Sequence, residues 1–296
     1  MKITITGSKG FVGANLHGYL KSFHELHSIC VRYQPNQNFD FTSDAIIHLA
    51  GKAHDLKKVS NPTDYYEANF ELTKQVFDSF LLSDASVFIF MSSVKASADE
   101  VKDILTEENS PNPKTHYGIS KLQAENYILN QQLPEGKRVY ILRPCMIHGP
   151  GNQGNLNLLY TIVKKGFPWP LAAFENQRSF VSVENLCFVV KALIDNENVA
   201  SGVYVVADEQ ALSTNELVAL AGEAIGKKVV FWKVPKGLVI LLAKLGDLLP
   251  LPLKKPKRWA CRSAALTHQT PCTCKRTVQK DKTTRMWWLP CTTTKV

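Results

Sequence analysis

The sequence predicts a doubly wound α/β fold, on three observations. The chain opens on a short β-branched strand, Lys2 to Thr6, which runs into the glycines Gly7, Gly10 and Gly13 and then into a helically spaced stretch, FVGANLHGYLKSF. Apolar runs of strand length, Ala45 to Leu49 and Ser86 to Ser93, recur further on. Helical segments lie between them, and strands apolar on both faces that alternate with helices build a parallel sheet covered on both sides. At 296 residues the chain can hold one large core or two coupled domains.

The first element carries the clearest chemistry. Glycines at a strand-to-helix turn let the backbone fold tightly and approach a pyrophosphate closely. The helix start at Phe11 and Val12 offers unpaired N–H groups and the positive end of a dipole. A second strand, Leu26 to Val31, ends at Arg32, 19 residues past Gly13. An acid near that point accepts hydrogen bonds from an adenosine ribose, whereas an arginine suits a 2′-phosphate, so Arg32 points to NADP over NAD. Asp40 and Phe41 precede the next strand, and Leu49, Ala50 and Gly51 end it at the sheet edge where ligands of open α/β sheets lie.

A strong helix is predicted over Tyr65 to Leu81, with Asn69, Leu72, Val76, Phe77 and Phe80 on one face. Asn69 is the polar exception, and a buried asparagine ties backbone groups together. The following strand ends in Ser92 and Ser93. Then comes HYGISKLQAENYIL, where Tyr117 and Lys121 share a helix face. An ammonium beside a phenol favours phenolate and lowers its pKa, making the tyrosine a usable proton donor and acceptor. A serine hydroxyl at the strand end could fix the oxygen that receives the proton. Further on, Arg138 to Gly151 reads as a strand and a Pro/Gly loop, Gly202 to Asp208 as a strand, and Leu212 to Lys228 as a helix capped by Ser213 or Thr214. Val234 to Leu249 reads as an apolar core helix.

Charge is unevenly spread. Residues 254–296 hold eleven Lys/Arg against one acid, a balance of +10, which leaves residues 1–253 with 24 against 25, a balance of −1. A near-neutral body argues against a nucleic-acid binder. Cys30, Cys145 and Cys187 read as buried free thiols, and no cysteine pair has zinc-site spacing, so no metal is expected. No run of 18 apolar residues occurs, so no membrane insertion is expected and a cytoplasmic location is the default. From Lys254 onward charge, cysteine content and periodicity change together. This tail reads as a segment translated out of frame, with a basic arm as the rival reading.

Taken together, G-S-K-G-F-V-G at 7–13, H-L-A-G at 48–51, Y-E-A-N at 66–69, F-M-S-S-V at 90–94, Y-G-I-S-K at 117–121, R-P-C-M-I-H-G-P-G at 143–151 and R-S-F-V-S-V-E-N-L at 178–186 resemble the extended short-chain dehydrogenase/reductase family, the NAD-dependent epimerases and dehydratases of nucleotide sugars. The resemblance covers about residues 1–250. It implies a Rossmann-type dinucleotide domain over 1–150 and a smaller substrate lobe over 151–253, some of whose elements return to the sheet, with 254–296 outside both. It implies Ser93, Tyr117 and Lys121 as catalytic residues, Lys121 also holding the nicotinamide ribose and Asn69 supporting their helix. Ser93, His148, Asn157 and Arg178 would contact a UDP-sugar, Arg178 at the diphosphate. A homodimer would pair the Tyr65 and Tyr117 helices. Val94, Lys95 and Ala96 stand where family 4,6-dehydratases carry an Asp-Glu pair, so dehydration is set aside. The finer pattern is similar to bacterial surface-polysaccharide enzymes that reduce UDP-4-keto-6-deoxy-N-acetylhexosamines. A 4-ketoreductase using NADPH is therefore the favoured expectation. A UDP-sugar 4-epimerase with retained NAD, and a cofactor-binding remnant inactivated by its altered C-terminus, are the alternatives.

Overall fold

A computed structural model of the chain describes residues 1–53, 61–99, 105–152 and 155–239, with the two-residue strands Val278–Gln279 and Trp287–Trp288. The expected helix beyond Val239 and the rest of the basic tail lie outside the described residues.

Strand β1 (Lys2–Thr6) leads through the glycine turn to α1 (Phe11–Leu20), then to β2 (Glu25–Ile29) and β3 (Ala45–His48). One continuous helical run follows. It comprises α2 (Thr63–Tyr66), a π-helical turn over Glu67–Glu71 and α3 (Leu72–Leu82). After β4 (Val87–Met91) and a 3-10 turn at Val94–Ala96 comes α4 (His116–Leu129). Next are β5 (Arg138–Pro144), β6 (Met146–His148), α5 (Asn155–Lys164), β7 (Phe180–Ser182), α6 (Val183–Asp195), β8 (Gly202–Val206) and α7 (Thr214–Ala224).

Six strands form a parallel sheet in the order β2-β1-β3-β4-β5-β8. The chain moves outward from β1 in both directions. This puts the topological switch point between β1 and β3, where their carboxyl ends open a crevice. The two-residue period of the strands decides which helices each residue meets. Ile3, Ile5, Ala45, Ile47, Val87 and Ile89 share one core with Leu16 and Leu20 of α1 and Leu186 and Val190 of α6. The alternate residues Ile46, Phe88 and Phe90 pack on the other face against Val76, Phe77 and Phe80 of α3 and Ala124 and Ile128 of α4. The Phe77 and Phe88 rings meet edge to face at 5.0 Å. A fully buried phenylalanine of this kind contributes about 2–3 kcal/mol.

No helix joins β2 to β3. The connection is pinned to α3 instead, by Gln75 Nε2 donating to Gln34 O at 2.7 Å and Phe39 N donating to Ser79 Oγ at 3.0 Å. The edge position of β2 corrects one expectation. Strand β2 ends at Ile29, two residues short of the expected Val31, and Cys30 just beyond it is exposed, while Cys145 and Cys187 are buried. The smaller lobe has its own core of Val163, Trp169, Ala172 and Val218, and β6 pairs with β7 beside it. Ser213 caps α7 in a reciprocal capping box with Glu216.

Candidate active site

The glycine turn closes against the exit of β3. Gly7 has φ +70, and a Cβ there would lie 2.7 Å from Ala50 N. A Cβ on Gly13 would lie 2.3 Å from Gly7 O. Only hydrogen fits at either place, while at Gly10 the nearest atom is Gly7 O at 3.3 Å. The cap residue of α1 is Gly10, which brings no side-chain bond to the first turn. The amides there, with Phe11 and Val12 half-buried, are left to an external acceptor. The donor set and the missing side chains fit a dinucleotide pyrophosphate.

Tyr117 and Lys121 both lie on α4, with Lys121 fully enclosed. The phenol of Tyr117 is hydrogen-bonded to the hydroxyl of Ser93 and meets the Tyr65 ring edge to face at 6.1 Å. The two serines at the end of β4 divide their tasks. Ser93 turns toward Tyr117, while Ser92 is buried and donates to Glu125 Oε1. The expected lowering of the Tyr117 pKa is not what the structure gives. Burial pushes the phenol up, and the Ser93 hydrogen bond only partly offsets it. The Lys121 ammonium is engaged elsewhere, donating to Met91 O at 2.8 Å and lying 4.7 Å from the Phe90 ring centre. Burial lowers the Lys121 pKa to about 8, with Glu125 acting in the opposite sense.

Three supporting groups complete the centre: Asn69, which the sequence singled out, and two carboxylates, Glu125 and Asp99, which it did not. Asn69 sits in the π turn, fully buried, where such turns often mark functional sites. Its Oδ1 accepts from Lys52 N at 2.8 Å, and its Nδ2 donates to Lys52 O and Ser120 Oγ, each at 3.1 Å. Ser120 Oγ in turn donates to Tyr117 O at 2.9 Å. Asn69 therefore joins the Gly51–Lys52 backbone to the helix of Tyr117. Second, a carboxylate one helical turn beyond Lys121, Glu125, is fully buried against Arg143, whose Nε lies 3.1 Å from each oxygen and whose Nη2 lies 2.5 Å from Oε2. The Lys-x-x-x-Glu spacing placed Glu125 on the right face, but only β5 supplies Arg143.

The third group is Asp99. Its Oδ2 accepts from Lys114 N at 2.6 Å and Thr115 N at 3.0 Å, and its Oδ1 accepts from Thr115 Oγ1 at 3.0 Å. Thr115 caps α4, accepting from Gly118 N at 3.2 Å. These bonds hold the carboxyl pKa below its ordinary value despite burial, which pushes it up. The turn after Ser93 is thus fastened to the start of α4, and a Cβ on Gly118 would lie 2.4 Å from Lys95 O.

The remaining predicted residues distribute around this centre. Leu49 and Ala50 line the exit of β3, and a Cβ on Gly51 would lie 3.4 Å from Lys121 Nζ. Phe41 is buried in the core, while Arg32 and Asp40 are exposed on the connection between β2 and β3. Arg178 is half-buried on the smaller lobe, where its backbone bridges Leu212. Its Nε is enclosed without a hydrogen-bond partner among the described residues. An enclosed guanidinium N–H with no acceptor fits an anionic ligand group. His148 Nε2 lies 3.5 Å from Asp208 Oδ2. Asn157 lies on α5, but its side chain is outside the described residues.

With this geometry in hand, comparison with known proteins is informative. Residues 3–207 match the model of the NAD dependent epimerase/dehydratase family. A UDP-glucose 4-epimerase of Vibrio cholerae is 32% identical over 259 residues, 79% of this chain and 78% of that one. A GDP-6-deoxy-D-mannose reductase of Pseudomonas aeruginosa is 27% identical over 242 residues, 75% of this chain and 79% of that one. Among solved structures, RMD from Pseudomonas aeruginosa complexed with NADPH aligns with a TM-score of 0.66 at 26% identity, over 78% of this chain and 84% of that one.

Proposed function

We propose, for a chain that belongs to the NAD dependent epimerase/dehydratase family and is a nicotinamide-dependent enzyme, that it transfers hydride at C4 of a UDP-sugar and runs as a 4-ketoreductase in surface-polysaccharide sugar synthesis. When bound, the dinucleotide supplies the hydride. Every other part of the reaction falls to this chain's residues. The glycine turn and the first amides of α1 hold the pyrophosphate. Lys121 holds the nicotinamide ribose and keeps a positive charge beside the reacting centre. Ser93 donates a hydrogen bond that fixes the C4 oxygen, and the Tyr117 phenol gives that oxygen its proton as the ketone becomes an alcohol. A phenol kept protonated by burial suits the proton-donating direction. Arg178, with His148 and Asn157, receives the nucleotide diphosphate and sugar.

The observation that carries reduction over epimerisation is Arg32. It stands exposed beyond the end of β2, where an acid would serve NAD, and the connection that holds it carries no helix. A second reading, UDP-sugar 4-epimerase with retained NAD, is supported by the identity to the Vibrio cholerae epimerase. Fluorescence titration of the purified chain with NADPH and NADH separates the two. Reduction requires tight NADPH binding and a purified protein free of nucleotide. NAD retained through purification overturns it in favour of the epimerase. Arg32→Ser is expected to cost NADPH at least tenfold in affinity and leave NADH unchanged.

A further inference from the structure

The smaller lobe carries a surface that the reaction at C4 does not use. Trp169 N donates to Val230 O at 2.8 Å and Trp232 N donates to Trp169 O at 2.9 Å, so residues 169 and 230–232 lie side by side in extended form. Trp169 and Val229 turn into the lobe core. The next three residues, Val230 at 58%, Phe231 at 39% and Trp232 at 55% exposure, all present surface to solvent. Phe167, two residues before Trp169, is 60% exposed. Lys227 Nζ donates to Lys164 O at 2.7 Å, which brings the end of α5 beside the same strip. The fold thereby joins residues 160–171 to residues 226–238. These two stretches contain Lys164, Lys165, Lys227, Lys228, Lys233 and Lys236, all exposed, and neither an aspartate nor a glutamate.

We infer that this face of the smaller lobe docks on an anionic lipid bilayer. Exposed Trp and Phe tips set among lysines match the interfacial zone of a membrane, where aromatic rings sit at headgroup depth and each lysine near an anionic surface adds attraction. A protein partner would select against lysine at the centre of the contact. A nucleic acid would favour arginine forks on phosphate, and the two stretches contain no arginine. Among the described residues no helix is long and apolar enough to cross a membrane, and the inferred contact is a peripheral one. It sets the substrate lobe against the bilayer.

Co-sedimentation of the full chain with phosphatidylcholine vesicles, with and without about one-third phosphatidylglycerol, tests this. Binding is expected only with phosphatidylglycerol and is expected to weaken as salt rises. Lys165→Gln with Lys228→Gln is expected to weaken it roughly 30-fold, from about fivefold per lysine. Phe167→Ser with Trp232→Ser is expected to weaken it at least tenfold. Unchanged melting temperature and NADPH titration show that each variant is folded. Four outcomes overturn the inference. The chain ignores vesicles. It binds both kinds equally. The lobe variants bind as the parent does, which assigns binding to the basic C-terminal stretch. Or light scattering shows a dimer that Phe167→Ser with Trp232→Ser takes apart, which makes the face a contact between copies. Duplex DNA bound without vesicle binding counts with the first outcome.

Discussion

Replacing Asp99 by asparagine removes one negative charge and reverses the polarity of one oxygen position. In the parent, the carboxylate receives two backbone N–H groups and one hydroxyl at 2.6, 3.0 and 3.0 Å. An asparagine oxygen can serve one side of this set, and the amide N–H₂ then faces donors. With the amide oxygen in the Oδ2 place, the Thr115 hydroxyl bond is broken or reversed and the two backbone N–H bonds lose their charge assistance, a charge-assisted bond contributing about 1.5–3 kcal/mol against about 0.5–1.5 for a neutral one. The Asp99 side chain is 17% exposed, and water replaces part of the loss. The net cost is about 2 kcal/mol, or roughly 4–8 °C in melting temperature for a chain of this size. The sign with pH follows from the lowered pKa. Folding holds the carboxyl below its unfolded value of about 3.9, so the stabilisation is complete above that value and fades as pH falls through the folded one. Thermal melts of parent and Asp99→Asn between pH 2 and 8 should show a constant gap above about pH 4 that narrows only below it. A gap under about 1 °C at pH 7, or one that widens in acid, would refute the reasoning.

Gly13→Ala should lower NADPH affinity at least tenfold by titration, because a Cβ meets Gly7 O at 2.3 Å, whereas Gly18→Ala, with nothing within 4 Å, should leave it unchanged. Arg143→Met strands the buried Glu125 carboxylate and should cost about 3–5 kcal/mol in urea unfolding, most of it recovered by adding Glu125→Leu. Lys121→Met should abolish turnover yet match or exceed the parent's stability at pH 7. Folding lowers the lysine from its ordinary value of 10.5 to about 8, so the unfolded chain binds more protons between those values. The parent should therefore gain stability as pH rises from 8 to 10 and close the gap to the variant, which melts at each pH would measure.

Local spacing made part of this legible. The three glycines sit between a strand and a helix, and two of them are places where a Cβ has no room. Tyr117 and Lys121 announce themselves by their four-residue separation on α4. What escaped depends on contacts between distant segments. The π turn at Glu67–Glu71 shares its apolar face with an ordinary helix, so periodicity cannot reveal it. Asp99 looks like any loop acid until residue 115 is brought beside it. The balance of −1 over residues 1–253 hid the lysine surface, because acids elsewhere in the chain cancel six lysines that the fold collects in one place. Cys30 misled because an apolar context in sequence does not reveal that its strand lies at the sheet edge.

One distant contact explains how the cradle and the reacting groups are held as a unit. Thr73 donates its only hydroxyl hydrogen to Asn69 O at 2.8 Å, so at its 3.0 Å contact with His48 Nε2 it must accept. His48 therefore carries its proton on Nε2, and its Nδ1 accepts from Thr6 Oγ1 at 2.8 Å. Thr6 Oγ1 in turn accepts from Ala50 N at 3.2 Å. Each group in the chain from Ala50 to Asn69 has a partner of the right kind only if His48 is neutral. Burial, helped by the Lys121 charge, enforces this by lowering its pKa to about 3. The Ala50 amide at one end lies 2.7 Å from where a Cβ on Gly7 would fall, and Asn69 at the other reaches Ser120 and through it Tyr117. The glycine turn and α4 are thus joined through fully satisfied hydrogen bonds, which resist distortion because an orphaned buried donor costs about 1–3 kcal/mol.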